Sequence, residues 1–154
     1  MFLDPLFKKW RTFLEGPTGS MLPDIGLLVL RISFSATMIT HGWAKYANFS
    51  QYADKFPDPI GVGPKFSLIL AIFSELVCSV LVILGLATRL ALTQLIVTMA
   101  VAFFIVHAAD PFQKKELALV YFFTYVALFI TGPGRLSVDA WLIGNCLCKQ
   151  KRQL

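Results

Sequence analysis

A small set of side chains in this sequence could do chemistry, and each lies in or beside a long apolar stretch. His41 and Lys45 stand at i and i+4, and His107 and Asp110 at i and i+3, so each pair shares one helical face. Histidine changes charge near neutral pH, which suits it to proton transfer and to hydrogen bonding with a polar ligand. Glu116 comes shortly after Asp110. Arg31 and Glu75 fall inside apolar runs. An unpaired arginine in the hydrocarbon core of a bilayer costs roughly 2.5–3.5 kcal/mol on insertion scales, so Arg31 needs a partner.

The elements that must position these groups are membrane spans. Of the 154 residues, 56% are hydrophobic and 15% charged, against about 25% charged in soluble domains. A membrane helix needs about 20 mostly apolar residues. Runs of that kind cover residues 25–43, 66–86, 90–109 and 117–131. The fold class is therefore all-α: a polytopic membrane protein with a four-transmembrane-helix bundle over residues 21–142. A Pro- and Gly-containing connection, 47–64, joins the first two spans. Gly132-Pro133-Gly134 ends the fourth.

Two flanking segments lie outside the bundle. Residues 1–20 comprise an amphipathic interfacial helix and linker. Leu3, Leu6, Phe7, Trp10, Phe13 and Leu14 keep helical spacing, while Lys8, Lys9 and Arg11 sit off that stripe. Residues 136–147 can form a short second amphipathic helix, and 143–154 are a basic tail. The first apolar run lacks a cleavage site and reads as a retained span, not a signal peptide. The net charge of +5 is scattered around apolar segments, which points to lipid and topology and not to nucleic acid. With four spans both termini share one side. The basic excess in the two terminal segments and at Arg89 places them in the cytoplasm. Cys78 reads as a packed small residue, and Cys146 and Cys148 as reduced thiols. No metal-binding spacing occurs.

Helix rise converts position into depth. Glu75 lies near mid-span and Arg31 about 10 Å in from the cytoplasmic side on that rise, so an Arg31–Glu75 ion pair between the first two helices is expected. His41 and His107 lie at similar distances from the starts of their own helices. With Lys45, Asp110 and Glu116 they could meet in one polar pocket at the outer interface, with Trp43 beside it. The plain alternatives are a structural clamp for the first pair and helix-end histidines for the second. A quinone or similar redox molecule suits such a pocket. Two histidines could at most hold a bis-His haem, the weaker reading. Phosphate loops, nucleophile elbows and zinc-protease motifs do not occur, so an enzymatic role is left open.

These positions carry a family resemblance. Leu30-Arg31, His41-Gly42-Trp43-Ala44-Lys45, Glu75-Leu76, Leu84-Gly85-Leu86-Ala87-Thr88-Arg89-Leu90, His107, Glu116 and Gly132-Pro133-Gly134-Arg135-Leu136-Ser137-Val138-Asp139 occur in this order over about residues 25–142. In that order the chain resembles the DoxX family of small bacterial membrane proteins. The resemblance implies a four-helix bundle in the inner membrane with a redox association. Relatives include the membrane subunit of thiosulfate:quinone oxidoreductase, and mycobacterial members associated with superoxide dismutase and a sulfurtransferase. On this reading the protein is a component of a quinone-linked system. His41 and His107 would bond the ligand, with Lys45 and Glu116 setting the local charge. Arg89 and an Arg135/Asp139 pair would tie down the cytoplasmic face. The rival is a non-enzymatic adaptor for a soluble oxidoreductase or sulfurtransferase, or a small-molecule carrier, with homo-oligomerisation open in either case.

Overall fold

The computed structural model describes residues 21–150, with side chains to 145. The expected helix at 1–15, the tail from 151 and the side chains of Cys146 and Cys148 lie outside the described residues. Every described element is helical, with no strand. Helix α1 spans Leu22–Ala47, α2 Pro64–Leu84, α3 Thr88–Val106, α4 Phe112–Thr131 and α5 Val138–Gln150. A single extra turn, Phe49–Tyr52, comes after α1. The first three helices are long and apolar enough to cross a membrane. The α4 helix opens with Lys114, Lys115 and Glu116 before its apolar run.

Local chemistry sets the boundaries. Pro23 and Pro64 stand in the first turns of α1 and α2, where a missing amide donor costs nothing. Asp24 in the first turn of α1 and Lys45 in its last oppose the helix dipole. Gly85 ends α2 in the left-handed region (φ +69°). Leu86 N–H donates to the Leu81 carbonyl at 3.0 Å and Gly85 N–H to the Val82 carbonyl at 3.1 Å, the paired bonds of a Schellman cap. Two helices carry π-helical stretches, Phe73–Cys78 in α2 and Ala102–Val106 in α3. Such bulges rotate the residues beyond them and recur at functional sites.

The helices pack in sequence: α1 on α2, α2 on α3, α3 on α4, and α4 back on α1. Met38, Cys78, Val82, Leu92, Leu95, Met99, Tyr121, Tyr125 and Leu128 form the shared core. Large hydrophobic side chains such as Val29, Phe73, Leu90, Phe123 and Ile130 remain exposed, as lipid-facing positions should.

The contact between α1 and α2 is closest at Gly42. A Cβ there would lie 2.9 Å from both Glu75 Cβ and Leu76 Cγ. Further along, a Cβ on Gly85 would meet Ser137 Cβ at 2.5 Å and Arg31 Nη1 at 2.8 Å. These two approaches fix the antiparallel register: Gly42 opposes Glu75, and Arg31 opposes Gly85. Gly85→Ala combines a left-handed backbone with a steric clash and should cost about 2–4 kcal/mol. Gly26→Ala, with open space around it, should leave stability unchanged. Unfolding midpoints in detergent would separate the two, and equal midpoints would refute the register.

Candidate functional site

The two levels of charge expected along α1 exist, but their partners differ from the expectation. Arg31 and Glu75 do not pair. Arg31 is 1% exposed, and its guanidinium donates to three carbonyls. Nη1 reaches Pro133, and Nη2 reaches Leu136 at 2.8 Å and Ile83 at 3.4 Å. One cation thus closes over the ends of α2 and α4, where carbonyls lack helical partners and the dipoles are negative. The expected pairing presumes that the ends of the two helices are flush. Helix α1 begins well before the level at which α2 stops, so Arg31 lies below Glu75 by several turns.

Segment 132–139 completes this closed end. Arg135 donates from its backbone N–H and from Nε to Asp24, both at 2.7 Å. Asp139 accepts from Ala87 N–H and Thr88 N–H at 2.9 Å each and from the Thr88 hydroxyl at 2.7 Å. It is a cap on the start of α3, supplied from a distant part of the chain. It also holds Ala87 in the left-handed region (φ 46°). The i, i+4 pairing expected between Arg135 and Asp139 is therefore replaced by two longer-range contacts. Arg89 is exposed and lies over the Phe129 ring at 5.8 Å. Burial would push the Asp139 carboxyl up, but the bonds from Thr88 and Ala87, together with the Arg31 charge, outweigh it and hold the group below its usual range.

Glu75 finds Lys45 instead. Lys45 Nζ donates to its two oxygens at 2.9 and 2.6 Å. The Glu75 side chain is 6% exposed and that of Lys45 26%. Lys45 stands one turn beyond Gly42, so the close helix contact delivers its ammonium to the carboxylate. The pair forms part of the wall of a cavity of about 1220 Å³. His41, Thr40, Thr98, Gln94 and His107 also line it, and residues 50–60 lie across it. His41, Lys45 and His107 are thus brought together as expected. His107 Nδ1 lies 2.7 Å from Asp110 Oδ2, which fixes the ring and leaves Nε2 as the atom free for a ligand. That contact and the Lys114 charge hold the Asp110 carboxyl below its usual range. His41 packs edge-on against Tyr121, centroids 6.1 Å apart.

Three expected members stand outside; one of them, Asp110, holds His107 without itself lining the cavity. Trp43 is 59% exposed and packs on Tyr46, because two residues along a helix turn a side chain to the far face. Glu116 is exposed and is absent from the cavity wall. Other members carry no charge or motif that marks them in the sequence. Thr98 donates to Ser74 Oγ at 2.8 Å, and the Gln94 amide faces the cavity. Asp58 knots the covering segment to α2 by accepting from Val62 N–H, Gly63 N–H and the Ser67 hydroxyl. An Asp five residues ahead of the Gly of a Gly-Pro helix start is the sequence signal for that knot. Among the described residues no cluster of His, Cys, Asp and Glu could hold a metal ion.

The DoxX family model matches residues 26–108. Two uncharacterised proteins of Haemophilus influenzae are similar. One is 29% identical over 123 residues, 75% of this chain and 82% of the relative. The other is 34% identical over 127 residues, 73% of this chain and 87% of the relative. The inner membrane protein YqjF of Escherichia coli is 34% identical over 129 residues, 79% of this chain and 95% of that protein. No solved structure matches with significance.

The pairings can be tested by exchange and by acid. Lys45→Met and Glu75→Gln should each lower the unfolding midpoint, and the double variant should recover part of the loss, with a coupling of about 0.5–3 kcal/mol. Additive losses would refute the pair. The depressed Asp139 carboxyl contributes stability that is fully present above its unfolded pKa of about 3.9 and is lost as pH falls through the lower folded value. Asp139→Asn should therefore lower stability at pH 7 and flatten the decline between pH 5 and 2.5 in thermal scans. An unchanged acid limb would count against it.

Proposed function

The chain belongs to the DoxX family of membrane proteins, and from that premise we propose that it is an inner-membrane component of a quinone-linked redox system. In this reading α1 to α4 all cross the bilayer as a four-helix bundle, and Lys114, Lys115 and Glu116 remain at the interface where α4 enters. The basic residues of segments 1–20 and 143–154 hold both termini in the cytoplasm, which puts the closed end inside and the cavity outside. Helix α5 lies along the interface as an amphipathic helix.

The observation that carries the functional reading is the cavity whose wall holds the Lys45–Glu75 pair together with His107, whose Nδ1 is bonded to Asp110. Interconversion of a quinone and its quinol moves two electrons and two protons. A neutral ring with two carbonyls needs an apolar slot and hydrogen-bond donors at separate points. Here Val97, Val101 and Leu70 supply apolar wall, while His41, His107 and Lys45 supply donors. His107 Nε2 and Lys45 Nζ would bond the ligand oxygens, with Asp110 and Glu75 holding the two donors in place. Electrons would come from a partner.

A second reading, an adaptor for a soluble oxidoreductase or sulfurtransferase, draws on α5. That helix exposes Trp141, Leu142 and Ile143 beside the closed end. The two readings part on ligand content.

Full-length protein extracted in mild detergent should carry quinone, detected by mass analysis of its organic extract. His41→Ala with His107→Ala should weaken quinone affinity about tenfold, equivalent to roughly 1.4 kcal/mol. Asp110→Asn should weaken binding without unfolding the protein. Wild-type protein free of quinone, in membranes that contain it, would overturn the ligand reading and leave the adaptor.

A further inference from the structure

Most buried polar groups of the bundle have partners. Ser67 bonds Asp58, Ser74 receives Thr98, Thr88 bonds Asp139, and Glu75 receives Lys45. Among the described residues three buried side-chain atoms have none: Arg31 Nε, Ser35 Oγ and Ser79 Oγ. All three residues are 0–1% exposed. Hydroxyls inside helices ordinarily turn back to a carbonyl one turn earlier. Thr37, Thr93, Thr124 and Thr131 all do so here. Ser35 and Ser79 do not. Both lie within reach of the Tyr125 hydroxyl of α4, but neither makes a hydrogen bond of regular geometry with it. Tyr125 is itself fully buried, and its bond to the Phe34 carbonyl is a long one, 3.5 Å.

The three hydroxyls come from three helices, and those of Ser35 and Ser79 lie within one helical turn of each other in depth by the α1–α2 register. Ser35 is one turn along α1 from Arg31, and Ser79 is one turn along α2 from Glu75. Both therefore lie between the two charges. Leaving several polar atoms bare in a bundle core is unfavourable, and hydrocarbon offers them no partners. A buried water needs two to four polar partners, and such waters occupy sites where otherwise unsatisfied groups converge.

We propose that Ser35, Ser79 and Tyr125 form an internal water-binding site that reaches Arg31 Nε. The water donates to and accepts from the hydroxyls of three helices and joins them where side chains alone fall short. It completes a polar file from the Lys45–Glu75 pair at the cavity to Arg31 at the closed end. This site is independent of what the cavity binds.

Radiolytic footprinting tests it, since X-rays generate hydroxyl radicals from bound water as well as from solvent. Full-length protein in lipid nanodiscs should be labelled at Tyr125 or at Met38, which is buried at the level of Ser79 by the α1–α2 register. Labelling at these residues should fall at least threefold in Ser35→Ala with Ser79→Ala, while exposed Met21 keeps its rate. Each single alanine variant should also unfold at a lower temperature than wild type. Equal labelling in wild type and double variant, or alanine variants as stable as wild type or more so, would overturn the proposal.

Discussion

The placement of Arg31 organises one whole end of this molecule. A guanidinium that is almost fully buried must direct its donors at acceptors. Among the described residues no carboxylate pairs with it directly. The acceptors it uses are the carbonyls of Ile83, Pro133 and Leu136. Those groups need donors themselves, because they lie at or just past helix ends. Two deficits cancel in one contact. The planar fork of arginine makes this possible, since a lysine ammonium could not span carbonyls from two chain segments in the same way. The consequence extends outward. With 132–136 drawn over Arg31, Asp139 is delivered to the start of α3 and Arg135 to Asp24 in the first turn of α1. Gly85 has to be a glycine in this arrangement, because Ser137 and Arg31 occupy the space a Cβ would need.

A bundle closed so tightly at one end can diverge at the other. Gly42 holds α1 against α2 at the level of Glu75. Beyond that point the helices make room for the cavity, and both π-helical stretches lie along its boundary. Phe73–Cys78 contains Glu75, and Ala102–Val106 ends directly before His107. Each bulge adds a residue to a turn and so rotates the side chains of the next turn. A regular helix through 102–106 would place His107 on a different face. The His107 amide bonds the Ala102 carbonyl five residues back, at 3.0 Å, so the ring position is tied directly to the bulge.

Much of this is legible in the sequence, and the limits have physical causes. Apolar blocks locate the three spanning helices to within a few residues, since the bilayer imposes their length. The clustering of His41, Lys45 and His107 comes from equal depth. The partners of Arg31 and Glu75 do not, because depth measured from helix ends assumes flush ends. The information that corrects the register is steric: Gly42 lies in the same motif as His41 and Lys45, yet a glycine announces no particular neighbour. Backbone acceptors are also invisible to residue-type reasoning. A carbonyl belongs to every residue, so nothing in Pro133 or Leu136 marks them as partners of a buried cation. The Arg135–Asp139 spacing suggests a helical pair, but α5 begins only at Val138, leaving Arg135 outside the helix that such spacing presumes.

The charges of the cavity wall constrain what it can hold. Lys45 and Glu75 neutralise one another at hydrogen-bond distance, and Asp54 and Lys55 contribute one charge of each sign among the covering residues. An anionic ligand would have to compete with Glu75 for Lys45 and would leave a carboxylate stranded in an apolar wall. Separating a buried pair in that way costs about 3–5 kcal/mol. A cationic ligand faces the mirror-image difficulty at Lys45. A neutral ligand with carbonyl or hydroxyl groups avoids both. It can accept from the remaining ammonium proton of Lys45 without displacing Glu75, and it can meet His107 at the nitrogen that Asp110 leaves free. This electrostatic neutrality, more than the cavity's size, supports the proposed neutral, quinone-like ligand over a charged metabolite.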